Sequence, residues 1–302
     1  MAGVLDTPAW TAQSDPMAVA NRIRPRSAVS DPPSFLAGLL ASGHPAVMGV
    51  LNVTPDSFSD GGRFLDPGKA VAQAERMIAE GADIIDIGAE STRPYGGMAP
   101  VSADDELARL KPIFGKIVAL GVPVSIDTVK ASTGAWALDQ GAAMLNDVWG
   151  LQRDSGLATL AAERKVPVAI MHNRDRADGS IDILDDIESF FRRSLAIADQ
   201  AGIARDQIVL DPGIGFGKTP EQSMIAIGQL ARFKSFGLPL LVGASRKRFI
   251  SAVTPSEPDQ RLGGSLAAHL LAVENGAAII RAHDVAETVQ ALRVAAAIRG
   301  AQ

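Results

Sequence analysis

The sequence predicts an α/β protein, a (β/α)8 (TIM) barrel closed by eight parallel strands, and three observations predict it. Eight short apolar runs recur from about residue 46 onward, continuous as strands are when both faces are covered. Helical segments rich in Ala, Leu and Glu alternate with them, and strict β/α alternation gives a parallel sheet. Nearly every run leads into polar residues fit for chemistry, as at the C-terminal rim of a barrel. An open doubly wound sheet competes, but eight units and a length of about 250 residues beyond Val47 favour closure.

The strands are expected, in order, at Val47–Val53, Asp83–Gly88, Val122–Ile126, Ala143–Leu145, Val166–Met171, Ile208–Leu210, Leu240–Ala244 and Ala277–Ile280. Helices are expected near Pro67–Glu80, Asp104–Leu120, Ala131–Gln140, Ser155–Arg164, Ile187–Ala201, Pro220–Ala231, Arg261–Asn275 and Ala286–Arg299. Asp66-Pro67 pairs an N-capping side chain with proline at the first helical position. Gly81, Gly121, Gly141, Gly202 and Gly276 each follow a helical segment, where a left-handed residue is wanted. Residues 1–33, rich in Pro, Ser and Ala, read as an irregular extension, and 34–302 as the barrel domain.

Composition narrows the function. The chain has 302 residues, 47% of them hydrophobic, enough for a sizeable core, and a net charge of −5, which argues against nucleic acid as the main partner. Without cysteine there are no disulfides, thiolate metal sites or cysteine nucleophiles, and a cytoplasmic setting is compatible. No apolar stretch reaches the roughly 20 residues of a membrane span; Ser34–Ser42 is apolar but too short.

The rim residues carry the chemistry. Asn52 opens a polar loop to Gly62, longer than an ordinary βα connection and suited to a lid or an anion and metal site. Glu90–Val101 is similar, with Thr92 and the planar donor fork of Arg93; pairing of Arg93 with Glu90 or Asp86 is the structural alternative. Asp127, Asn146 and Asp211 follow three different strands and would converge in the mouth. They could bind a metal or read a heterocycle rich in N–H donors. Asp211–Thr219 (DPGIGFGKT) is glycine-rich without Walker spacing, and Phe216 is a candidate for stacking. Ser245-Arg246-Lys247-Arg248, with Arg281 and His283, forms a basic cluster at strands seven and eight, where barrels often hold phosphate.

These segments together resemble the dihydropteroate synthases of the folate pathway: MGVLNVTPDSFSDGG (Met48–Gly62), ESTRP (Glu90–Pro94), SIDT (Ser125–Thr128), NDVWG (Asn146–Gly150), Met171-His172, DPGIGFGK (Asp211–Lys218), GASRK (Gly243–Lys247) and RAHDV (Arg281–Val285). The resemblance implies a pterin-binding barrel that joins p-aminobenzoate to 6-hydroxymethyl-7,8-dihydropterin diphosphate, with sulfonamides as competitors and Mg2+ near Asn52. It implies a pterin subsite at Asp127, Asn146, Met171, Asp211 and Lys247. It implies a diphosphate subsite at Asn52, Thr92, Arg93, Arg281 and His283, and an aminobenzoate subsite at Phe58, Phe216, Lys247 and Arg248. Asp56, Thr92, Arg93, Asp211 and Lys247 are the implied catalytic residues, and a homodimer is the implied assembly. The fifth strand, ending at Met171-His172, is expected to give a packing wall.

Three features depart from the family pattern: Arg248 where serine is common after SRK, a longer stretch in RPYGGMAPVS, and the 33-residue leader. Two other activities share parts of the pattern. A methyltetrahydrofolate methyltransferase would need no diphosphate site, and a silent pterin-binding barrel would lack loop residues.

Overall fold

A computed structural model describes residues 32–41, 43–54, 66–90 and 101–301. Of the sequence expectations, Asp56, Phe58, Thr92 and Arg93, together with the extension up to residue 31, lie outside the described residues.

Eight parallel strands close into a barrel in sequence order. They are β1 (Ala46–Asn52), β2 (Ile84–Gly88), β3 (Val124–Asp127), β4 (Met144–Asp147), β5 (Val168–Met171), β6 (Ile208–Asp211), β7 (Leu240–Val242) and β8 (Ala277–Ala282). Closure is made where β1 pairs with β8, Ala46 opposite Ile279 and Gly49 opposite Ala282. Each strand expected from the sequence is present, its ends matching or shifted by at most two residues.

The helices run α1 (Pro32–Leu40), α2 (Pro67–Ala79), α3 (Ala103–Leu110), α4 (Phe114–Val118), α5 (Ala131–Asp139), α6 (Ser155–Arg164), α7 (Ile183–Ala201), α8 (Pro220–Gly228), α9 (Arg248–Val253), α10 (Leu262–Glu274) and α11 (Val285–Gly300). Asp66 caps α2 as expected, accepting from the N–H groups of Gly68 and Lys69. The five glycines expected to end helices all have positive φ.

Helices correct the sequence reading at four points, one being α9, which no expected helix covers. The single helix expected over Asp104–Leu120 is two, α3 and α4, separated by Lys111-Pro112-Ile113, because proline removes a helical N–H and clashes with the preceding turn. α7 begins at Ile183 rather than Ile187, because Asp182 caps it through the N–H groups of Leu184 and Asp185. The apolar Ser34–Ser42 segment belongs largely to α1. Its Leu36 is buried with Ala46, Met48, Ile84, Met144, Ala169, Val209, Leu241 and Ile279. These residues come from the N-terminal parts of their strands, so α1 plugs the bottom of the barrel. A second and larger core lies between strands and surrounding helices, with Phe114, Phe191 and Phe233 among its largest buried side chains.

Candidate active site

Alternation along the strands explains why the mouth is polar. Residues i and i+2 of a strand face the same way. Ile84, Met144, Val209 and Ile279 line the bottom of the barrel; two positions further on stand Asp86, Asn146, Asp211 and Arg281. Asp127 joins this layer by register, opposite Asn146. The same strand directions that fill the bottom with apolar side chains therefore send charged ones into the mouth.

Arg281 ties that layer together. Its Nε–H donates to Asp86 Oδ2 at 2.7 Å and its Nη2 to Asp127 Oδ2 at 2.9 Å. Asn146 Nδ2 also donates to Asp86 Oδ2, at 3.0 Å. Asp86, Asp127, Asn146 and Asp211 are all buried. Asp86 Oδ1 and Asp127 Oδ1 have no hydrogen-bond partner among the described residues, an arrangement whose desolvation is costly until a donor arrives. Burial raises the Asp127 carboxyl to about 7 against the opposing pull of Arg281, with Asp86 adding to the rise. Burial also raises Asp211, against Lys247 and the N–H of Gly213.

The basic cluster divides by task. Arg246 turns to Asp284, its Nε 3.0 Å from Oδ2, while its own N–H donates to Ser265 Oγ at 2.9 Å. Lys247 donates to the carbonyl of Ile214, and its Nζ lies 4.3 Å from the centroid of the Phe216 ring. Burial lowers its pKa to about 7, with Asp211 opposing and Arg281 reinforcing the shift. Arg248 is exposed at the first residue of α9. His283 Nδ1 lies 3.1 Å from Ser245 Oγ. Burial, with Arg281 and Arg246 adding to it, holds this imidazole down to about 3. At neutral pH it therefore offers a hydrogen bond and no charge.

Asn52 ends β1 beside Gly88 of β2, and Met171 ends β5 beside Asp211. The structure thus brings Asp127, Asn146, Asp211, Lys247 and Arg281 into one polar layer, with His283 and Phe216 at its edges. The two carboxylates named as alternative partners for Arg93 have other cations: Asp86 has Arg281, and Glu90 Oε2 accepts from Lys130 Nζ at 2.5 Å.

Sequence reasoning missed two contributors. Asp86 lies mid-strand in the apolar IIDIG; counting two residues on from Ile84 would have found it. Lys218 is completely buried and holds His172, so the wall expected from the fifth strand has a polar interior. His172 Nδ1 lies 2.6 Å from Lys218 Nζ and His172 Nε2 3.0 Å from Asp186 Oδ2.

A family model described as "Pterin binding enzyme" matches residues 48–283. The chain belongs to that family. Within it the similarity is to dihydropteroate synthases, which are transferases. That of Bacillus subtilis (strain 168) is 46% identical over 240 residues, 79% of this chain and 83% of that protein. The solved structure of the Xanthomonas albilineans dihydropteroate synthase with 4-aminobenzoic acid is 42% identical with a TM-score of 0.80, covering 85% of this chain and 93% of that one. A Yersinia pestis dihydropteroate synthase in a sulfonamide drug complex is 40% identical with a TM-score of 0.79, covering 86% and 96%. Among the described residues of this pterin binding enzyme, no helix is long and apolar enough to cross a membrane.

Proposed function

We propose that this chain joins p-aminobenzoate to 6-hydroxymethyl-7,8-dihydropterin diphosphate, giving 7,8-dihydropteroate and pyrophosphate. The observation that carries this reading is the buried layer of Asp86, Asp127, Asn146 and Asp211, with acceptors left open beside Lys247. A pterin presents an edge of N–H donors alternating with acceptors. The carboxylates of Asp127 and Asp211 accept from it, the amide of Asn146 serves either sense, and Lys247 donates. Met171 forms part of the wall. Arg281 then serves two partners. It is the counter-ion of Asp86 and Asp127 and a cation facing the leaving diphosphate, where His283 and Asn52 add hydrogen bonds.

The reaction begins with cleavage of the C–O bond to the diphosphate, whose electron pair leaves with pyrophosphate. Arg281 disperses the negative charge that develops. The pterin methylene becomes cationic beside the Asp211 carboxylate, which stabilises it. Aminobenzoate is held by Phe216, Lys247 and Arg248, and its nitrogen gives its lone pair to that carbon and then loses a proton to the departing pyrophosphate. No protein nucleophile takes part. Asp56, Phe58, Thr92 and Arg93 are assigned to the first two loops' share of the site by family resemblance, as groups that exclude water and contact diphosphate and aminobenzoate.

Among the described residues no three His, Asp or Glu side chains are grouped to hold a metal. The end of β1 offers the Asn52 amide oxygen, a donor set that suits Mg2+, which keeps several waters and shares substrate phosphate oxygens. Bound there, Mg2+ would neutralise charge on the diphosphate.

Sulfonamides, as aminobenzoate mimics, are expected to compete. A homodimer through α10 and α11 is supported by exposed Leu271 (52%), Val294 (53%) and Ile298 (61%). Residues 34–302 are assigned as the catalytic domain, 1–33 as an extension, and a reducing cytoplasm as the setting. The test is pyrophosphate release by purified protein with Mg2+, expected only when both substrates are present; release independent of aminobenzoate, or none at all, overturns the assignment.

A further inference from the structure

The loop after β6 lies directly on the end of β5. A Cβ at Gly213 would come within 1.9 Å of the His172 carbonyl oxygen, and one at Gly217 within 2.4 Å of Arg174 Cβ. Both glycines have positive φ, 65° and 54°, so the loop has neither the space nor the backbone conformation for other residues there. From the far end of this loop, Lys218 turns back underneath it. Its Nζ lies 2.9 Å from the Gly213 carbonyl oxygen, 3.2 Å from that of Phe216 and 2.6 Å from His172 Nδ1.

The hydrogen-bond pattern has a direction. Asp186 Oδ2 accepts, so His172 Nε2 carries the hydrogen and Nδ1 is left with its lone pair facing Lys218, an assignment made from the network. An ammonium carries donors and no acceptor, as the two carbonyls and this nitrogen require. His172 is fully buried and packs edge-on against Phe190, ring centroids 4.9 Å apart, so its orientation is fixed as well. Asp186, by contrast, is part-exposed. Burial pushes Lys218 well below its ordinary range, and Asp211 is the largest influence holding it up.

The other side of the same loop faces the mouth. Ile214 gives its carbonyl to Lys247 Nζ, and the Phe216 ring lies under that ammonium. A Cβ on Gly215 would meet Lys247 Cδ at 3.2 Å. The two carbonyls gripped by Lys218 flank Ile214 in the chain and include that of Phe216 itself.

We propose that Lys218, oriented by His172 and Asp186, is a positioning residue that sets the height of the 213–217 loop and thereby the placement of Phe216 and the Lys247 ammonium for the aminobenzoate half of the site. The proposal rests on the dihydropteroate synthase reading. In this reading Lys218 acts on neither substrate directly. It acts through the loop, so its loss shows first in aminobenzoate binding, which Phe216 serves alone and Lys247 shares with the pterin.

The test uses the full chain with Lys218→Met, which keeps the aliphatic stem, His172→Gln and Asp186→Asn. Lys218→Met is expected to raise KM for aminobenzoate by about tenfold or more while kcat and KM for the pterin diphosphate change less, because a small misplacement of a binding wall is costly. His172→Gln and then Asp186→Asn should follow in the same parameter with decreasing effect, and the His172→Gln/Lys218→Met pair should be less than additive. Hydrogen exchange of the 213–217 amides should quicken in Lys218→Met. An unchanged aminobenzoate KM with unchanged exchange, or equal losses in both substrates' KM and in kcat, would overturn the proposal. Should Lys218→Met fail to fold, Asp186→Asn decides by the same readouts. Should the wild-type protein make no dihydropteroate, the functional reading falls, and the exchange measurement alone decides whether Lys218 holds the loop.

Discussion

At the bottom of the barrel, Met48, Ile84, Met144, Val209 and Ile279 close on Leu36 of α1; two residues further along four of the same strands stand Asp86, Asn146, Asp211 and Arg281. The backbone environment is alike at both levels, yet one layer is apolar and the other is charged and incompletely hydrogen-bonded. The bottom gains its stability from area removed from water. The mouth depends on one guanidinium shared by two buried carboxylates, an arrangement that an apolar layer of equal volume would match or better for stability alone. The difference is the one the proposed ligand-recognition role of the upper layer requires, and it can be probed from either side.

The largest effect is expected from Arg281→Met. It strands Asp86 and Asp127 as buried carboxylates, so unfolding free energy should fall by about 3–5 kcal/mol, and pyrophosphate release should drop with it. Denaturant unfolding and the two-substrate assay measure the two losses; full stability in this variant would mean that the mouth is better solvated than its burial implies. Next comes Leu36→Ala at the other end, expected to cost about 2–5 kcal/mol as a large-to-small core change while leaving KM for both substrates unaltered. A shift in KM there would show that the plug and the mouth are coupled.

The third effect is a dependence on pH and concerns Lys247. Its pKa in the folded chain is about 7 against an ordinary 10.5, so between those values the unfolded chain binds the additional proton. The sign follows from linkage: stability contributed by the neutral amine is present above the ordinary pKa and is lost as pH falls through that window. Relative to Lys247→Met, the wild-type protein should therefore gain stability as pH rises from about 7 to 10.5. Denaturant midpoints at the two ends of the window read the difference, and parallel curves would show that Lys247 is solvated.

The strand ends were legible because apolar runs and their terminal polar residues are local features. Asp127, Asn146, Asp211, Lys247 and Arg281 could all be named from such positions. What could not be read is which of them meet. Arg281 is 195 positions from Asp86 and 154 from Asp127, and only barrel closure brings them together. The α1 plug was hidden for a different reason: Ser34–Ser42 is continuously apolar and carries no periodicity to show a buried face. The start of α7 was signalled by Asp182, a local cap outweighed by the later apolar residues from Ile187. His172 and Lys218 lay in recognised segments, but nothing in either segment says that a buried lysine reaches the other's imidazole.

The Glu90 carboxylate has a consequence for evolution of the second loop. Oε1 accepts from the N–H of Val101 at 3.1 Å and Oε2 from Lys130, which also lies 3.3 Å from buried Glu106. Residues 90 and 101 are thus tied to each other, and Glu90 to Lys130 beyond β3. The entropy of closing such a connection grows only with the logarithm of its length, about 0.6 kcal/mol for each doubling. The number of residues that join these two tied ends can therefore change at little entropic cost to the barrel, which leaves the length of this connection open to adjustment while the strands below it keep their register.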